Sequence, residues 1–438
     1  MGATRPFHLG WFLNGTSVPA WGHPFSGSIG TDWESSDIFV DLARAMERAC
    51  FDYVLIEDNT FVGDRYGDSM EVYLKHALQA PRQDPMILAT LMVQATSRLG
   101  VIPTVGTFAY HPYMLARLAG SLDQLSKGRI GVNVVTGTSD RALQNYGYDG
   151  MADHDYRYEV AEEFLDAAKA LWGTWQDGAI VADRASGVFA DHTKVTRADF
   201  AGAHFKSRGP LNSGPLPQRQ PVISQAGGSP RGIALAAKHA DTVIAIQQTP
   251  EKMKAYRDAV RESAEAQGRD PDDVKVMFAV WPLVGSSEAE AQDRFDAAVL
   301  DSQLNMEVPL AMMSKSTDID FALVPRDVPL GELDLTTNGT QLFYDYAARH
   351  ADVTLSQAVA RQAAGSGPSL VGTAYSVADQ LEEIMGIVGG DGFLISSSGV
   401  TRRFIAEITD GLVPELQARG LTRTSYEHAQ LRDNLRSF

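Results

Sequence analysis

Short apolar runs alternate with amphipathic stretches along most of the chain. Residues 6–13 (PFHLGWFL) read as a first strand, and 14–34, rich in Gly, Pro, Ser and Trp, as a loop. Residues 35–49 place Ile38, Leu42, Ala45, Met46 and Ala49 on one face at helical spacing. Further strands are predicted at 52–58, 99–107, 129–136, 221–226, 241–246, 274–281 and 392–396. Helices are predicted at 85–96, 112–126, 153–172, 230–239, 250–267, 286–304, 376–388 and 401–419. Two stretches break the rhythm, 173–220 and 305–370. The first is expected to carry a small hairpin, near 187–189 and 205–207.

Eight apolar strands alternating with helices predict an α/β protein, a (β/α)8 TIM barrel, rather than an open sheet. The 438 residues are read as one domain with both irregular stretches inserted over the C-terminal mouth. Long irregular segments in that position suit a lid. A dinucleotide-binding sheet would need a G-x-G-x-x-G opening the first helix, and none follows the first strand.

Composition narrows the function. A formal charge of −17 argues against nucleic acid or an anionic membrane as the main partner. Hydrophobic residues make up 44% and charged residues 21%, as in soluble enzymes. With Cys50 alone there is no intrachain disulfide and no cysteine metal cage. No apolar run approaches the ~20 residues of a membrane helix, and no leader-like apolar region opens the chain. The expectation is a cytoplasmic protein.

In a barrel of this kind the strand C-termini carry the chemistry. Here they offer Asn14, Asp58, Thr104, Asn133, Gly227, Gly228, Ser229, Trp281 and Ser396. The stretch PVISQAGGSPRGIALAAKH at 221–239 is the most informative. A buried strand turns through two glycines into a helix with Ser229 as N-cap and Pro230 at its first position. Free N–H groups there suit a phosphate, although an ordinary strand–turn–helix connection reads the same way. A second helix start places His154 and Tyr158 at i,i+4, with Arg157 beside them, as another anion clamp or as a solvated turn. No metal-ligand set, glycosidase carboxylate pair or Schiff-base lysine accompanies them. The collection suits a polar cofactor that carries its own chemistry.

Several runs together resemble one family. They are Arg129-Ile130-Gly131-Val132-Asn133-Val134-Val135-Thr136, His154-Asp155-Tyr156-Arg157-Tyr158, and DRASGVFAD at 183–191. Arg208-Gly209-Pro210-Leu211-Asn212, Gln225-Ala226-Gly227-Gly228-Ser229 and LVPELQARGL at 412–421 complete them. In order and spacing the chain resembles the bacterial-luciferase-like flavin monooxygenases. It looks most like the branch with nitrilotriacetate, dibenzothiophene-sulfone and long-chain alkane monooxygenases. The resemblance implies reduced FMN (FMNH2) at the mouth, supplied by a separate NAD(P)H:FMN reductase. It implies reaction with O2 through a C4a-peroxyflavin, oxygenation of a small organosulfur, nitrogen-containing or heterocyclic substrate, and a homodimer or homotetramer.

The resemblance also implies Asp58, Thr104 and Asn133 near the isoalloxazine and ribityl groups, with His154, Tyr158, Gly228 and Ser229 at the phosphate. His8, His111 and Asn14 are the catalytic candidates, the two histidines as acid or base. Trp21, Phe61 and Trp281 are candidates for the substrate pocket. The chain has Gly22 where the branch more often has Arg, which removes a cation from the expected substrate mouth. Two other readings remain: a deazaflavin-dependent luciferase-like oxidoreductase, and a flavin-binding relative without catalysis.

Overall fold

The computed structural model describes residues 6–13, 34–333, 351–362, 367–397 and 399–438. Eight strands form the predicted ring. They are β1 (His8–Leu13), β2 (Tyr53–Ile56), β3 (Gly100–Gly106), β4 (Gly131–Val135), β5 (Val222–Ala226), β6 (Thr242–Ala245), β7 (Lys275–Gly285) and β8 (Gly392–Ile395). Each pairs in parallel with the next, and β8 pairs with β1, so the barrel closes and has no edge.

Helices α1 (Asp37–Arg48), α2 (Pro85–Ala95), α3 (Pro112–Ser126), α4 (His154–Trp172), α5 (Pro230–His239), α6 (Pro250–Ala266) and α7 (Glu288–Leu304) follow the first seven strands in turn. Then come α8 (Glu307–Thr317), which lies in the second insertion, and α9 (Ala374–Val388). Side chains that caps want are at the helix starts: Asp84, Asp153, Ser229, Thr249, Ser287 and Thr373 each accept a first-turn N–H.

Alternate strand residues point inward. Tyr53, Leu55, Ile102, Val222, Ile244, Met277, Ala279 and Leu394 form an interior cluster, while the other face of each strand packs on the helices. The N-terminal end of the ring is plugged by the chain's own C-terminus, whose Leu431 and Leu435 join that interior cluster. The periodicity of 420–438 does not announce this, because a plug needs only a few apolar side chains at the right place. Strand β7 also runs beyond the predicted 281. A short strand, Ser369–Thr373, pairs with its second half from Trp281 to Gly285.

The first insertion contains two hairpins, Ile180–Asp183 with Val188–Ala190 and Phe200–Ala201 with Lys206–Ser207. Its described contacts run along α3 and α4. Phe205 meets His111 at the mouth, and Gln218 donates to Asp123 near the opposite end. It therefore flanks the barrel for much of its length. The second insertion covers the mouth through α8. Tyr73 donates to the Ala311 carbonyl at 2.8 Å, Arg141 reaches Asp318 at 2.9 Å, and the Gly67 N–H reaches Asp320 at 2.8 Å. These contacts bolt α8 to the loop after β2.

The base of the ring is fastened by three aspartates that precede strands. Asp52 accepts from the Leu9 N–H at 3.0 Å and from Arg423 at 2.8 Å. Asp241 accepts from the Ile223 N–H at 2.8 Å and pairs with Arg432. Asp391 accepts from the Val276 N–H at 2.8 Å and pairs with Arg257 at 2.5 Å. Each ties its own strand to a neighbour and to a cation from outside the sheet.

His8 belongs to this base. Its Nδ1 lies 3.2 Å from Asp52, and its ring stacks on Phe438 at 4.4 Å. As the first residue of β1 it sits at the end opposite the mouth, so the sequence expectation of a catalytic His8 is corrected. The parity of the strand does turn its side chain inward, but one strand length too low.

Burial pushes the Asp52 carboxyl up, and His8 and Arg423 outweigh that and hold it below the usual carboxylate range. Its contribution is present above the unfolded value near pH ~4 and is lost as pH falls through the lower folded value. Asp52→Asn strands the buried Arg423 charge and is expected to cost ~3–5 kcal/mol in urea unfolding at pH 7. The deficit relative to wild type should shrink below about pH 4. A deficit that does not change with pH would mean that the carboxylate charge is not what matters.

Candidate functional site

The mouth begins with a row of inward polar residues on adjacent strands. Thr104 on β3 is in register with Asn133 on β4, and Asn133 with Ser224 on β5. All three are at most 5% exposed. Asn133 Nδ2 donates to Thr104 Oγ1 at 2.9 Å. Asn133 Oδ1 and Ser224 Oγ have no hydrogen-bond partner, nor do the hydroxyls of Ser396 and Ser397 after β8. Buried groups in this state each cost ~1–3 kcal/mol, and several of them ring the same opening.

Three residues beyond Ser224 the chain enters the glycine turn. Ser229 adopts extended backbone and its Oγ accepts from the Gly232 N–H at 3.1 Å, capping α5 as the sequence predicts. A side chain on Gly227 would crowd Gln225 and the Tyr158 hydroxyl, whereas the space beside Gly228 is open. The Gly227 carbonyl is held by Tyr256 at 2.6 Å. Tyr158 is buried, and its hydroxyl lies against Gly227 and Gly232. Tyr158 and the turn therefore meet, although they are some 70 residues apart in sequence.

His154 is in the same corner but more exposed. Its ring is 4.8 Å from that of Tyr158, and its Nδ1 lies 2.8 Å from Asp155. Arg157 is not free to serve an anion: its Nη1 donates to the Gly137 carbonyl at 2.6 Å and its Nε to that of Ala152.

On the other side of the mouth β2 ends in Glu57 and Asp58. Arg82 Nη1 lies 2.8 Å from Glu57 Oε2 and 4.0 Å from Asp58 Oδ1. The Asn59 N–H donates to Asp58 at 2.8 Å. Burial nevertheless pushes the Asp58 carboxyl up to about 6, against the pull of Arg82 and the Asn59 amide. Phe61 lies beyond, with Lys315 Nζ of α8 5.1 Å above its ring. Trp281 faces inward from β7 and is approached by Gly367.

His111 is at the mouth as the N-cap of α3. Its Nδ1 accepts from the Tyr113 N–H at 3.2 Å, and its ring meets the edge of Phe205. That bond gives it a structural task. Asn14 and Trp21 lie outside the described residues.

Four site residues escaped the sequence reading. Ser224 was accessible, being the inward residue of its strand. Tyr256, Arg82 and Lys315 carry no local signal, since two helix faces and a loop bring them in. Among the described residues one group has metal-like spacing, Glu162, Asp166 and His239. It lies between α4 and α5, and Lys238 occupies it at 2.7 Å from Glu162 and 3.3 Å from Asp166.

Fold and site together define a (β/α)8-barrel protein whose mouth has a polar inner row leading to a glycine turn capped by Ser229. The chain belongs to the luciferase-like monooxygenase family, whose model matches residues 16–389. It is 38% identical to the dibenzothiophene-sulfone monooxygenase of Rhodococcus erythropolis (strain XP), over 98% of this chain and 96% of that one. It is 32% identical to nitrilotriacetate monooxygenase component A of Aminobacter aminovorans, over 99% and 97%. Its fold matches a crystal structure of a riboflavin lyase with modified FMN and riboflavin, with TM-score 0.87, 31% identity, and 99% and 96% of the two chains covered. The family resemblance and the barrel expected from the sequence both hold.

The raised Asp58 predicts a pH effect. Between pH ~4, where an unfolded aspartate ionises, and about 6, the folded protein holds a proton that the unfolded chain has released. Stability should therefore fall across that window, by at most about 3 kcal/mol, and then level off. Asp58→Asn should abolish the fall in urea unfolding measured between pH 4 and pH 7. An unchanged slope would assign the effect to another group.

Proposed function

We propose that this protein is a monooxygenase that uses reduced FMN and O2 to oxygenate a small organic substrate. The flavin would come from a separate NAD(P)H:FMN reductase. The observation that carries the reading is the buried row Thr104, Asn133 and Ser224, left partly unpaired and continuing into the glycine turn. A flat ring with N–H and C=O edges joined to a phosphate matches that layout. The naming of one relative as a component A supports a separate reductase.

Reduced FMN, when bound, supplies the activation of oxygen and its transfer to substrate. The chain's residues bind, orient and keep water out. Asn133 Oδ1 and Ser224 Oγ regain hydrogen bonds on the ring edge. Ser229, the open space at Gly228, the Tyr158 hydroxyl and the Arg231 N–H would hold the phosphate, since Pro230 has no N–H and that of Gly232 goes to Ser229. His154 guards the solvent side of Tyr158. Asp58 changes protonation near neutrality and so can donate or accept at the ring. Phe61 and Trp281 supply apolar walls that lower the local dielectric. His111 caps α3 and keeps the rim in place.

The oligomer expected from the sequence has a surface to form on. Adjacent helices α2 and α3 turn Ile87, Leu91, Met114, Leu118 and Leu125 outward, with Ile87 61% and Leu125 66% exposed. A second copy of this chain covering that face would account for it. Leu118→Arg with Leu125→Arg is expected to yield a smaller species in sedimentation. An unchanged sedimentation coefficient would place the interface elsewhere.

An anaerobic titration tests the cofactor assignment. Tyr158→Phe and Ser229→Ala should each weaken reduced FMN by ~1–2 kcal/mol, the usual loss for a hydrogen bond to a charged group. Wild-type affinity in both would put the phosphate elsewhere. Mixing the reduced complex with oxygenated buffer in a stopped-flow instrument tests the chemistry. A transient absorbing species, distinct from reduced and oxidised flavin and absent with free FMN, is expected. Reoxidation identical to free FMN would favour the deazaflavin or non-catalytic reading.

A further inference from the structure

Two cations at the mouth have hydrogen-bonding capacity that nothing among the described residues uses. The Arg82 side chain is 6% exposed. Its Nη1 serves Glu57, but Nε and Nη2 are buried without a partner. These two N–H groups lie on one edge of the guanidinium, the edge that pairs side-on with two oxygens on a single atom. Lys315 descends from α8 and rests on the Phe61 ring at 5.1 Å. No hydrogen bond or ion pair to its ammonium is found among the described residues. Burial pushes Lys315 down to about 7, with Arg82 acting in the same direction and Glu57 and Asp58 opposing. Phe61 is joined to the acidic pair through Asn59, whose side chain donates to the Phe61 carbonyl at 2.7 Å and whose N–H donates to Asp58 at 2.8 Å, so the ammonium lies over the same loop that meets Arg82.

The charges balance. Two carboxyl groups, Glu57 and Asp58, stand against the two cations, Arg82 and Lys315, so the cluster does not need an anion for neutrality. What it lacks is acceptors, because at least three donors are unspent. A buried guanidinium edge without partners is costly, and it persists where a ligand repairs it.

We propose that Arg82 and Lys315 form a substrate subsite that takes a head group with two acceptor oxygens on one atom: a sulfonyl, sulfinate or carboxylate group. The Nε and Nη2 edge of Arg82 receives the oxygen pair, and Lys315 donates to it from the side of Phe61. The apolar remainder of the substrate lies along Phe61 toward Trp281. This names the substrate class for the monooxygenase reading and rests on that reading's placement of the substrate at this mouth. Because α8 is fastened to the β2 loop through Tyr73, Arg141 and Gly67, docking of the second insertion completes the subsite.

The test is equilibrium binding, so it does not depend on turnover. Methyl phenyl sulfone and thioanisole differ only in the oxygen pair. Their affinities for the full-length protein, saturated with oxidised FMN, are compared by calorimetry. Wild type should prefer the sulfone. Lys315→Met should weaken the sulfone by about tenfold, as for one charge-assisted hydrogen bond, while thioanisole changes less than about twofold and FMN affinity is kept. Arg82→Lys keeps a cation for Glu57 but removes the paired edge, and should lose the preference with an unchanged melting temperature. Benzenesulfinate bound more tightly than the sulfone would identify an anionic head group, and the reverse order a neutral one. Either order supports the subsite if the two variants erase it. Equal affinity of wild type for sulfone and thioanisole, or a preference that survives both variants, overturns it. Such a failure would leave the flavin titration above untouched.

Discussion

Closing eight parallel strands into a ring is the constraint from which the rest follows. A closed sheet satisfies every strand's backbone groups and directs all eight C-termini to one opening. Closure has to be fixed at the other end, and Asp52, Asp241 and Asp391 do this in the same way. Each accepts an N–H from the neighbouring strand and an arginine from outside the sheet. These three aspartate–arginine pairs serve stability at the base. The mouth is then free to hold polar groups that stability alone would not favour.

Those groups explain why the mouth reads as a binding site rather than as a continuation of the core. Asn133, Ser224, Ser396 and Arg82 each keep a buried polar atom unpaired. One such atom is tolerable in any protein of this size. Several around one opening, next to a capped helix start and an open glycine, describe the negative of a polar ligand. The raised Asp58 belongs to the same picture, since burial without full pairing is what moves it.

The two insertions divide the work. The first lies along α3 and α4 and reaches the rim through Phe205. The second delivers α8 and its Lys315 to the opening. Substrate choice in a barrel enzyme is set by such additions, because the strands themselves are committed to closure.

The sequence by itself determined the ring. Eight apolar runs at the right intervals, the capping residues before most helices, and the turn at 227–229 are local patterns, and local patterns are legible in one chain. It also pointed to Asp58, Thr104, Asn133, Tyr158 and Ser229, of which folding brings Thr104 to Asn133 and Tyr158 to the turn at 227–229. It could not place His8, because inward parity says nothing of height in the barrel, and His8 sits at the base with Asp52. It could not show that Arg157 is spent on backbone carbonyls. Nor could it bring Arg82 and Lys315 to the same loop after β2, since that depends on α8 docking across 232 residues of intervening chain. Periodicity reports which face of an element is apolar. Which charges share a desolvated space is decided only by the packing of elements against one another.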